Sequence, residues 1–168
     1  MEFGRVRSDE VESLVAFFAG EEWPFHVDVR VAADVVRRRV AGGEYSDTFW
    51  ITDGAVRVGL VRLMDLDDGT PLFDLRVAAS HRGRGVGTAA VDWLTRYVFT
   101  HFATDRVEGT TRRDNVAMRR TFEKAGYVKE AHYREAWPSP EGPRDSVGYA
   151  ILRRDWESGT TTAVDFSS

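Results

Sequence analysis

Three alternate glycines mark a stretch of this chain where a phosphate group could bind. They lie in 82–88, between an apolar, strand-like stretch over 72–79 and an amphipathic stretch over about 85–103. At a strand-to-helix junction, glycines leave the backbone unshielded, so unpaired N–H groups and the positive end of the helix dipole face outward. Arg82 and Arg84 add cationic donors for an anion. The spacing therefore predicts a site for phosphate or pyrophosphate.

Two other phosphate motifs are excluded by their spacing. A Walker A loop ends in Gly-Lys-Ser/Thr, and the sequence has no such ending. A dinucleotide fingerprint needs two residues between its second and third glycines, whereas only Val86 separates Gly85 from Gly87. The glycines by themselves also fit a tight turn with a purely structural role, so both interpretations stay open on this pattern.

Two segments together resemble a known family. The Arg-x-x-Gly-x-Gly motif of 82–87, placed after a strand, is similar to the acyl-CoA pyrophosphate loop of the GNAT superfamily of N-acetyltransferases. Asn115, followed by the aromatic-Glu-Lys-x-Gly-aromatic sequence of 122–127, resembles the second cofactor segment of that family. The resemblance covers about 2–156. A looser similarity to the Rim-type branch, which includes ribosomal-protein N-terminal acetyltransferases, lies in 107–110, 130–134 and 145–156.

The resemblance implies a fold and a reaction. The fold is α/β, with a GNAT-like mixed and mostly antiparallel central sheet of about seven strands, about four flanking helices, and splayed fourth and fifth strands. The reaction is acetyl transfer from acetyl-CoA to a primary amine, which attacks the thioester directly. Without a cysteine, and with no sign of a Ser-His pair, a covalent acyl-enzyme is not expected.

The resemblance also implies which residues bind the cofactor. The backbone N–H groups of Gly83, Gly85, Gly87 and Thr88 would meet the pyrophosphate, and Arg82 and Arg84 belong to the same loop. The pantetheine would lie against the backbone of Leu75 and Val77. The N–H of Val77 is then the expected oxyanion donor.

Asn115 has two interpretations that the sequence does not separate. The resemblance implies a contact between Asn115 and the cofactor. An asparagine before an apolar helical run is also a common N-cap, because its side chain accepts a hydrogen bond from a free N–H of the first turn.

Two acidic residues on predicted strands are candidates for the general base. An acceptor ammonium with a pKa of about 10.4 must lose a proton before it attacks. Glu108, on the strand before Asn115, matches the Rim-type pattern. Asp74 lies in an apolar strand, where a charge must be solvated, paired or functional, and an ion pair with Arg76 on the same strand face is the structural alternative.

Two further residues are predicted on the acceptor side. His26 lies in the joint between the first two predicted helices, which borders the acceptor pocket in the family. Histidine titrates near neutral pH, but His26 also fits a hydrogen-bonded side chain in an aromatic plug. Glu135 lies near the end of the sixth predicted strand, close to where some Rim-type enzymes have an acid. Its structural alternative is an exposed charge at the end of a strand.

The residue at the position expected for the general acid departs from the family pattern. Many members have a tyrosine seven residues after the asparagine, where this chain has Phe122, which cannot donate a proton. Either Tyr127 or Tyr133 takes the role, or the thiolate leaves without assistance, which a thiol pKa of about 8.5 permits. The missing tyrosine also keeps open a non-catalytic acyl-CoA-binding or sensor module.

Periodic patterns predict the elements around these residues. Val91, Leu94, Val98 and Phe102 form one apolar stripe of a central helix. Asp53-Gly54 lies between two strand-like stretches, 48–52 and 55–65, and predicts a hairpin with a type I′ turn.

Composition limits the class of protein. The 168 residues fit a single N-acetyltransferase domain over 1–156, followed by a Ser/Thr/Gly-rich tail over 157–168 that is expected to be disordered. The absence of cysteine excludes disulfides and thiolate metal sites, and no His/Asp/Glu cluster has metal-ligand spacing. We therefore expect no metal.

Charge and hydropathy argue against some partners and locations. The formal net charge of −4 argues against nucleic-acid binding. Apolar runs are too short for a membrane span or a signal peptide, so a cytoplasmic location is expected. The resemblance implies a small-molecule amine or a protein N-terminus or lysine as the partner, and it makes a homodimer a reasonable expectation.

Overall fold

The computed structural model describes residues 1–165, which contain seven strands and five α-helices. Short 3-10 turns cover Ser8–Glu10 and Ala79–His81. In chain order the elements are β1 Glu2–Arg5, α1 Val11–Ala19, α2 Ala33–Ala41, β2 Thr48–Asp53, β3 Val56–Met64, β4 Leu72–Val77, α3 Val86–His101, β5 Arg106–Arg112, α4 Val116–Lys124, β6 Val128–Trp137, β7 Arg144–Leu152 and α5 Arg153–Ser158.

The chain divides into two compact units. The first contains Met1–Leu63 and Asp74–Val86, and the second contains Met64–Phe73 and the chain from Gly87 onward. The division falls within β3, β4 and the start of α3. The prediction of a single domain over 1–156 stays a prediction.

The first unit is built on the four-stranded sheet β1-β2-β3-β4. Strands β2 and β3 form the predicted hairpin, in which Asp53 pairs with Val56. The prediction of a type I′ turn is wrong, because Gly54 has a φ of +58° whereas Ala55 does not have a positive φ. Helices α1 and α2 pack on each other over an apolar core of Leu14, Phe18, Trp23, Val31, Val36, Tyr45, Trp50 and Leu60.

The second unit is built on the antiparallel three-stranded sheet β5-β7-β6. The predicted stripe of α3 is largely buried, with Val91, Leu94 and Val98 each 0% exposed. Helix α5 begins immediately after β7, and the Arg153 guanidinium donates to three carbonyl oxygens at the end of α3 and beyond it: those of Phe99, Phe102 and Thr104.

The predicted fold class is confirmed: a mixed α/β protein with seven mostly antiparallel strands, and five helices instead of about four. The strands form two separate hydrogen-bonded sheets, with β4 at the edge of one and β5 at the edge of the other. Within the second unit, the Glu108 N–H donates to the Pro71 carbonyl at 2.9 Å, next to the first residue of β4.

Two remaining predictions concern the tail and the membrane. Of the tail, 166–168 lie outside the described residues. Asp155 in α5 accepts hydrogen bonds from the N–H and hydroxyl of Thr162, at 2.9 and 2.7 Å. Over residues 1–165, no helix combines the length and apolar character needed to cross a bilayer.

Candidate active site

The glycine-rich loop, residues 82–88, leads into the first turn of α3, as the sequence predicts. Gly83 and Gly85 have φ values of +73° and +83°, a conformation that side chains other than glycine rarely adopt. A Cβ built on either glycine would meet no atom within 4 Å, so the space beside the backbone is open. Gly87 and Thr88 form part of the first turn of α3. The loop therefore offers a bare backbone surface at a helix start, which fits a pyrophosphate.

The two loop arginines differ in their contacts. Arg82 donates from Nε to the Val77 carbonyl at 2.9 Å and from Nη2 to the Glu22 carbonyl at 3.1 Å. Its guanidinium also lies 5.7 Å from the ring centroid of Trp23. Arg84 is exposed, and no described residue forms a hydrogen bond or ion pair with it.

Strand alternation orients the backbone of β4. The Ala78 N–H donates to the Val58 carbonyl of β3 at 2.9 Å. Because successive residues of a strand turn their N–H groups to opposite sides, the N–H groups of Val77 and Leu75 point away from β3. The structure thus turns these two groups toward the open edge of the four-stranded sheet, which is the orientation that their predicted roles require.

Asp74 is the centre of a polar cluster in the first unit. Its Oδ1 lies 3.0 Å from His26 Nε2, and its Oδ2 accepts a 3.1 Å hydrogen bond from Arg76 Nε. Burial alone raises the pKa of Asp74, but the hydrogen bond from His26 and the nearby charges of Arg76 and Arg62 hold it well below its usual range. The pairing with Arg76 is confirmed, and the carboxylate stays ionised.

His26 is brought to Asp74 by the fold, across 48 positions of sequence. Asp74 fixes its orientation: with a carboxylate at Nε2, the proton belongs on that nitrogen. The other ring nitrogen, Nδ1, is buried and has no hydrogen-bond partner among the described residues. The ring also packs edge-on against Trp23, with centroids 6.1 Å apart. The predicted aromatic joint therefore exists, and the carboxylate partner is the feature that sequence reasoning missed.

Asn115 acts as the N-cap of α4. Its Oδ1 accepts a 3.2 Å hydrogen bond from the Met118 N–H, and its Nδ2 donates to Thr111 Oγ1 at 3.0 Å. The capping interpretation is thus confirmed. The cofactor contact stays a prediction.

Glu108 shares an arginine with a second acid. Arg106 Nη2 lies 2.6 Å from Glu108 Oε1 and 2.8 Å from Glu130 Oε2. The Glu108 side chain is 35% exposed. One guanidinium therefore serves two carboxylates, and Glu108 keeps a solvent-accessible surface.

Phe122 is buried in an aromatic cluster of the second unit. It stacks on Tyr149 with ring centroids 4.8 Å apart, and a Cβ on Gly109 would come within 2.5 Å of its ring. The hydroxyl of Tyr127, the first alternative acid, is 2.7 Å from Thr95 Oγ1. Burial raises the pKa of Tyr127. A buried phenol with a higher pKa and an internal partner is poorly suited to protonate a thiolate.

Tyr133 and Glu135 lie on the exposed part of β6. Tyr133 is 50% exposed. Glu135 has a φ of +54°, and its N–H donates to Asp145 Oδ1 at 3.0 Å. Asp145 Oδ2 also contacts His132 Nε2 at 2.7 Å. The hydrogen bonds from the Glu135 N–H and the His132 ring lower the pKa of Asp145. The backbone of β6 at Glu135 is thereby fixed, while its own side chain is exposed.

Residues 1–165 contain no group of three or more His, Cys, Asp or Glu side chains that could hold a metal ion.

Comparison with known proteins identifies the family. A model described as the acetyltransferase (GNAT) domain matches residues 2–128. The chain belongs to the GNAT acetyltransferase family, a family of N-acetyltransferase enzymes. The resemblance read from 82–87 and 122–127 is confirmed.

One curated relative and many solved structures are similar to the chain. The "Putative ribosomal N-acetyltransferase YdaF" of Bacillus subtilis (strain 168) is 26% identical over 145 residues, which cover 81% of this chain and 79% of the relative. A GNAT-family acetyltransferase from Bacillus anthracis shares 16% identity with a TM-score of 0.76, covering 90% of this chain and 94% of the other. The spermidine/spermine N-acetyltransferase SpeG from Vibrio cholerae shares 16% identity with a TM-score of 0.76, covering 94% and 95%. At these identities the two structures show the fold.

Proposed function

We propose that the protein transfers the acetyl group of acetyl-CoA to a primary amine, which attacks the thioester directly. The observation that carries this proposal is the bare backbone surface at Gly83 and Gly85, placed between β4 and α3 within the GNAT match. The co-substrate supplies an activated acetyl group. The protein then has to hold it, polarise its carbonyl and accept a proton from the amine.

Backbone groups would hold the co-substrate. The N–H groups of Gly83, Gly85, Gly87 and Thr88 would bind the pyrophosphate, with Arg82 and Arg84 as neighbouring cations. The backbone of Leu75 and Val77 would bind the pantetheine, and Asn115 would contact it while capping α4. The N–H of Val77 would donate to the acetyl oxygen, since it already points away from β3.

Glu108 is our candidate for the general base. Its side chain is partly exposed, and its carboxylate lies 2.6 Å from Arg106, a guanidinium that it shares with Glu130. Asp74 remains a catalytic candidate, but both of its oxygens are engaged and its pKa is lowered, which favours an orienting role toward His26. His26 and Glu135 are proposed to face the acceptor.

Tyr133 is our candidate for the proton donor to the departing thiolate. It replaces the tyrosine that the family pattern places at Phe122, and half of its surface is exposed. The buried Tyr127 is a weaker candidate because its hydroxyl is paired with Thr95. Unassisted departure of the thiolate is the alternative.

The acceptor is proposed to be a small-molecule amine or a protein N-terminus or lysine. The similar proteins include one named "Putative ribosomal N-acetyltransferase YdaF" and one named spermidine/spermine N-acetyltransferase SpeG, and both names describe acetyl transfer to nitrogen. Because the Rim-type similarity is weak in the acceptor half, we favour a small molecule. We also propose that the enzyme is cytoplasmic and forms a homodimer. It is proposed to have no nucleic-acid or membrane partner.

The first experiment is calorimetric titration with acetyl-CoA, with ATP as a control ligand. Tight binding of acetyl-CoA over ATP is expected, followed by release of free thiol when a panel of primary amines is added. Equal binding of ATP and acetyl-CoA would remove the proposal. Binding of acetyl-CoA without thiol release across the panel would favour the sensor module that the buried Phe122 keeps as the second candidate.

The base is tested by substitution once an acceptor is found. Glu108→Gln keeps the size and the hydrogen bond to Arg106 but removes the proton acceptor. We expect kcat/KM to fall by about 10²- to 10⁴-fold. Glu130→Gln is the matched control, since it alters the other carboxylate on the same guanidinium, and it should retain activity. Equal losses in the two variants would assign the effect to Arg106 instead.

A further inference from the structure

The first part of the segment between α1 and α2 forms hydrogen bonds with β4 and with the loop that follows β4. We call residues 20–26 the connector. Three of its residues contact the stretch over 74–82, all within the first unit. The contacts are Glu21 Oε2 with the Ala79 N–H at 3.2 Å, the Glu22 carbonyl with Arg82 Nη2 at 3.1 Å, and His26 Nε2 with Asp74 Oδ1 at 3.0 Å.

Arg82 is the contact that belongs to the glycine-rich loop itself. Its Nε–H holds the Val77 carbonyl at the end of β4, and one Nη2–H holds the Glu22 carbonyl of the connector. A guanidinium has five N–H donors, so three remain for an anion bound at the loop. The same exposed side chain can therefore bind a phosphate oxygen while it still holds both carbonyls.

Hydrogen bonds and burial of Trp23 link the residues of the connector to one another. Trp23 is 1% exposed, its N–H donates to the Val29 carbonyl, and its indole donates to the Phe18 carbonyl at 3.2 Å. The Trp23 carbonyl accepts from the His26 N–H at 2.9 Å. The Arg82 guanidinium lies over the Trp23 ring. An immobilised guanidinium thus restrains Glu22 and Trp23, and through Trp23 it restrains His26.

We propose that Arg82 is a positioning residue that couples occupancy of the glycine-rich loop to the order of the connector, so that acetyl-CoA binding prepares the acceptor side. This inference rests on the proposed function, because it takes acetyl-CoA as the loop's ligand. The coupling is reciprocal: a ligand that orders the connector must tighten acetyl-CoA binding by the same factor. Arg82 acts through backbone carbonyls and an aromatic ring, so charge alone does not replace it.

Amide hydrogen exchange measures the coupling without a known acceptor. The probe is saturating acetyl-CoA, and the readout is the exchange of connector amides, above all those of Trp23 and His26. In the wild type we expect at least about 5-fold slower exchange on binding, the lower end of ordinary allosteric coupling. In Arg82→Lys and Arg82→Ala the change should be less than about 2-fold, while the first turn of α3 is still protected. The lysine variant keeps the charge and so guards against a general loss of binding or folding.

Arg84→Ala is the matched control, because it removes a neighbouring loop arginine that has no contact with the connector. It should need more acetyl-CoA for saturation and then show the full wild-type slowing. If saturating acetyl-CoA binds but does not slow the exchange of connector amides in the wild type, the inference is overturned and the proposed function still stands. Full slowing in Arg82→Lys, or its loss in Arg84→Ala, would also overturn the inference. If the wild type binds no acetyl-CoA at all, the proposed function fails and takes the coupling with it.

Discussion

Replacing Gly85 with alanine tests whether the loop backbone binds acetyl-CoA. Gly85 has a φ of +83°, and a Cβ there would meet nothing within 4 Å. The methyl group therefore creates no clash in the free protein. Its cost to the free energy of unfolding is the backbone strain of a left-handed residue, about 1–2 kcal/mol. Its effect on binding is separate, since the methyl group occupies the open space through which an anion would reach the N–H groups.

The loss of affinity follows from the hydrogen bonds that the methyl group blocks. A hydrogen bond to a charged group contributes about 1.5–3 kcal/mol. Losing one of them raises the dissociation constant for acetyl-CoA by about 10- to 150-fold. Isothermal titration calorimetry measures this change directly, and urea unfolding measures the strain.

Gly43→Ala separates strain from binding. Gly43 has a φ of +80° and the same open surroundings, but it lies between α2 and β2. Both variants should lose similar unfolding free energy, and only Gly85→Ala should lose affinity. Wild-type affinity in Gly85→Ala, or an equal loss in Gly43→Ala, would refute the assignment of the loop.

Asp74→Asn leaves the buried Arg76 without its counter-charge, so unfolding in urea at pH 7 should lose about 3–5 kcal/mol. Burial raises the pKa of Asp74, but the hydrogen bond from His26 and the charge of Arg76 lower it by more, so the net shift is downward. The ionised carboxylate therefore stabilises the folded protein above about pH 4, and this contribution is lost as the pH falls below that value. The gap between wild type and variant should therefore narrow in acid, and a constant gap from pH 7 to pH 3 would contradict this account. Gly109→Ala places a methyl group within 2.5 Å of the Phe122 ring and should cost about 1–3 kcal/mol. Phe122→Leu should recover part of that loss in a double-mutant cycle, whereas strictly additive losses would argue against the contact.

Local patterns predicted most of the elements because their signals are short-range. The apolar stripe of α3 predicted its buried face, and Asp53-Gly54 predicted the β2–β3 hairpin. The turn type was wrong because strand pairing ends at Asp53 and Val56, which makes Gly54 and Ala55 the central residues. Pairing register is decided between strands, and a dipeptide alone does not fix it.

The sequence also predicted the glycine-rich loop and offered the helix cap as one interpretation of Asn115. Both depend on the conformation of a few consecutive residues, and the φ values of Gly83 and Gly85 and the Met118 N–H bond to Asn115 agree with the spacing. Asp74 with Arg76 is likewise a pair two positions apart on one strand face, so strand alternation predicts it.

The long-range partners were decided only by the tertiary structure. Nothing in the sequence links His26 to Asp74, 48 positions away, or directs Arg82 to the Glu22 carbonyl, 60 positions away. The sequence predicts that an arginine beside glycines binds an anion, because the residue type shows its charge. The sequence does not show which backbone carbonyls lie close enough to accept its hydrogen bonds. The sequence thus determined the family, the loop and the local elements, since these follow from residue type and spacing. The side-chain partners depend on which chain segments the packing brings together, and that information is absent from any single stretch of sequence.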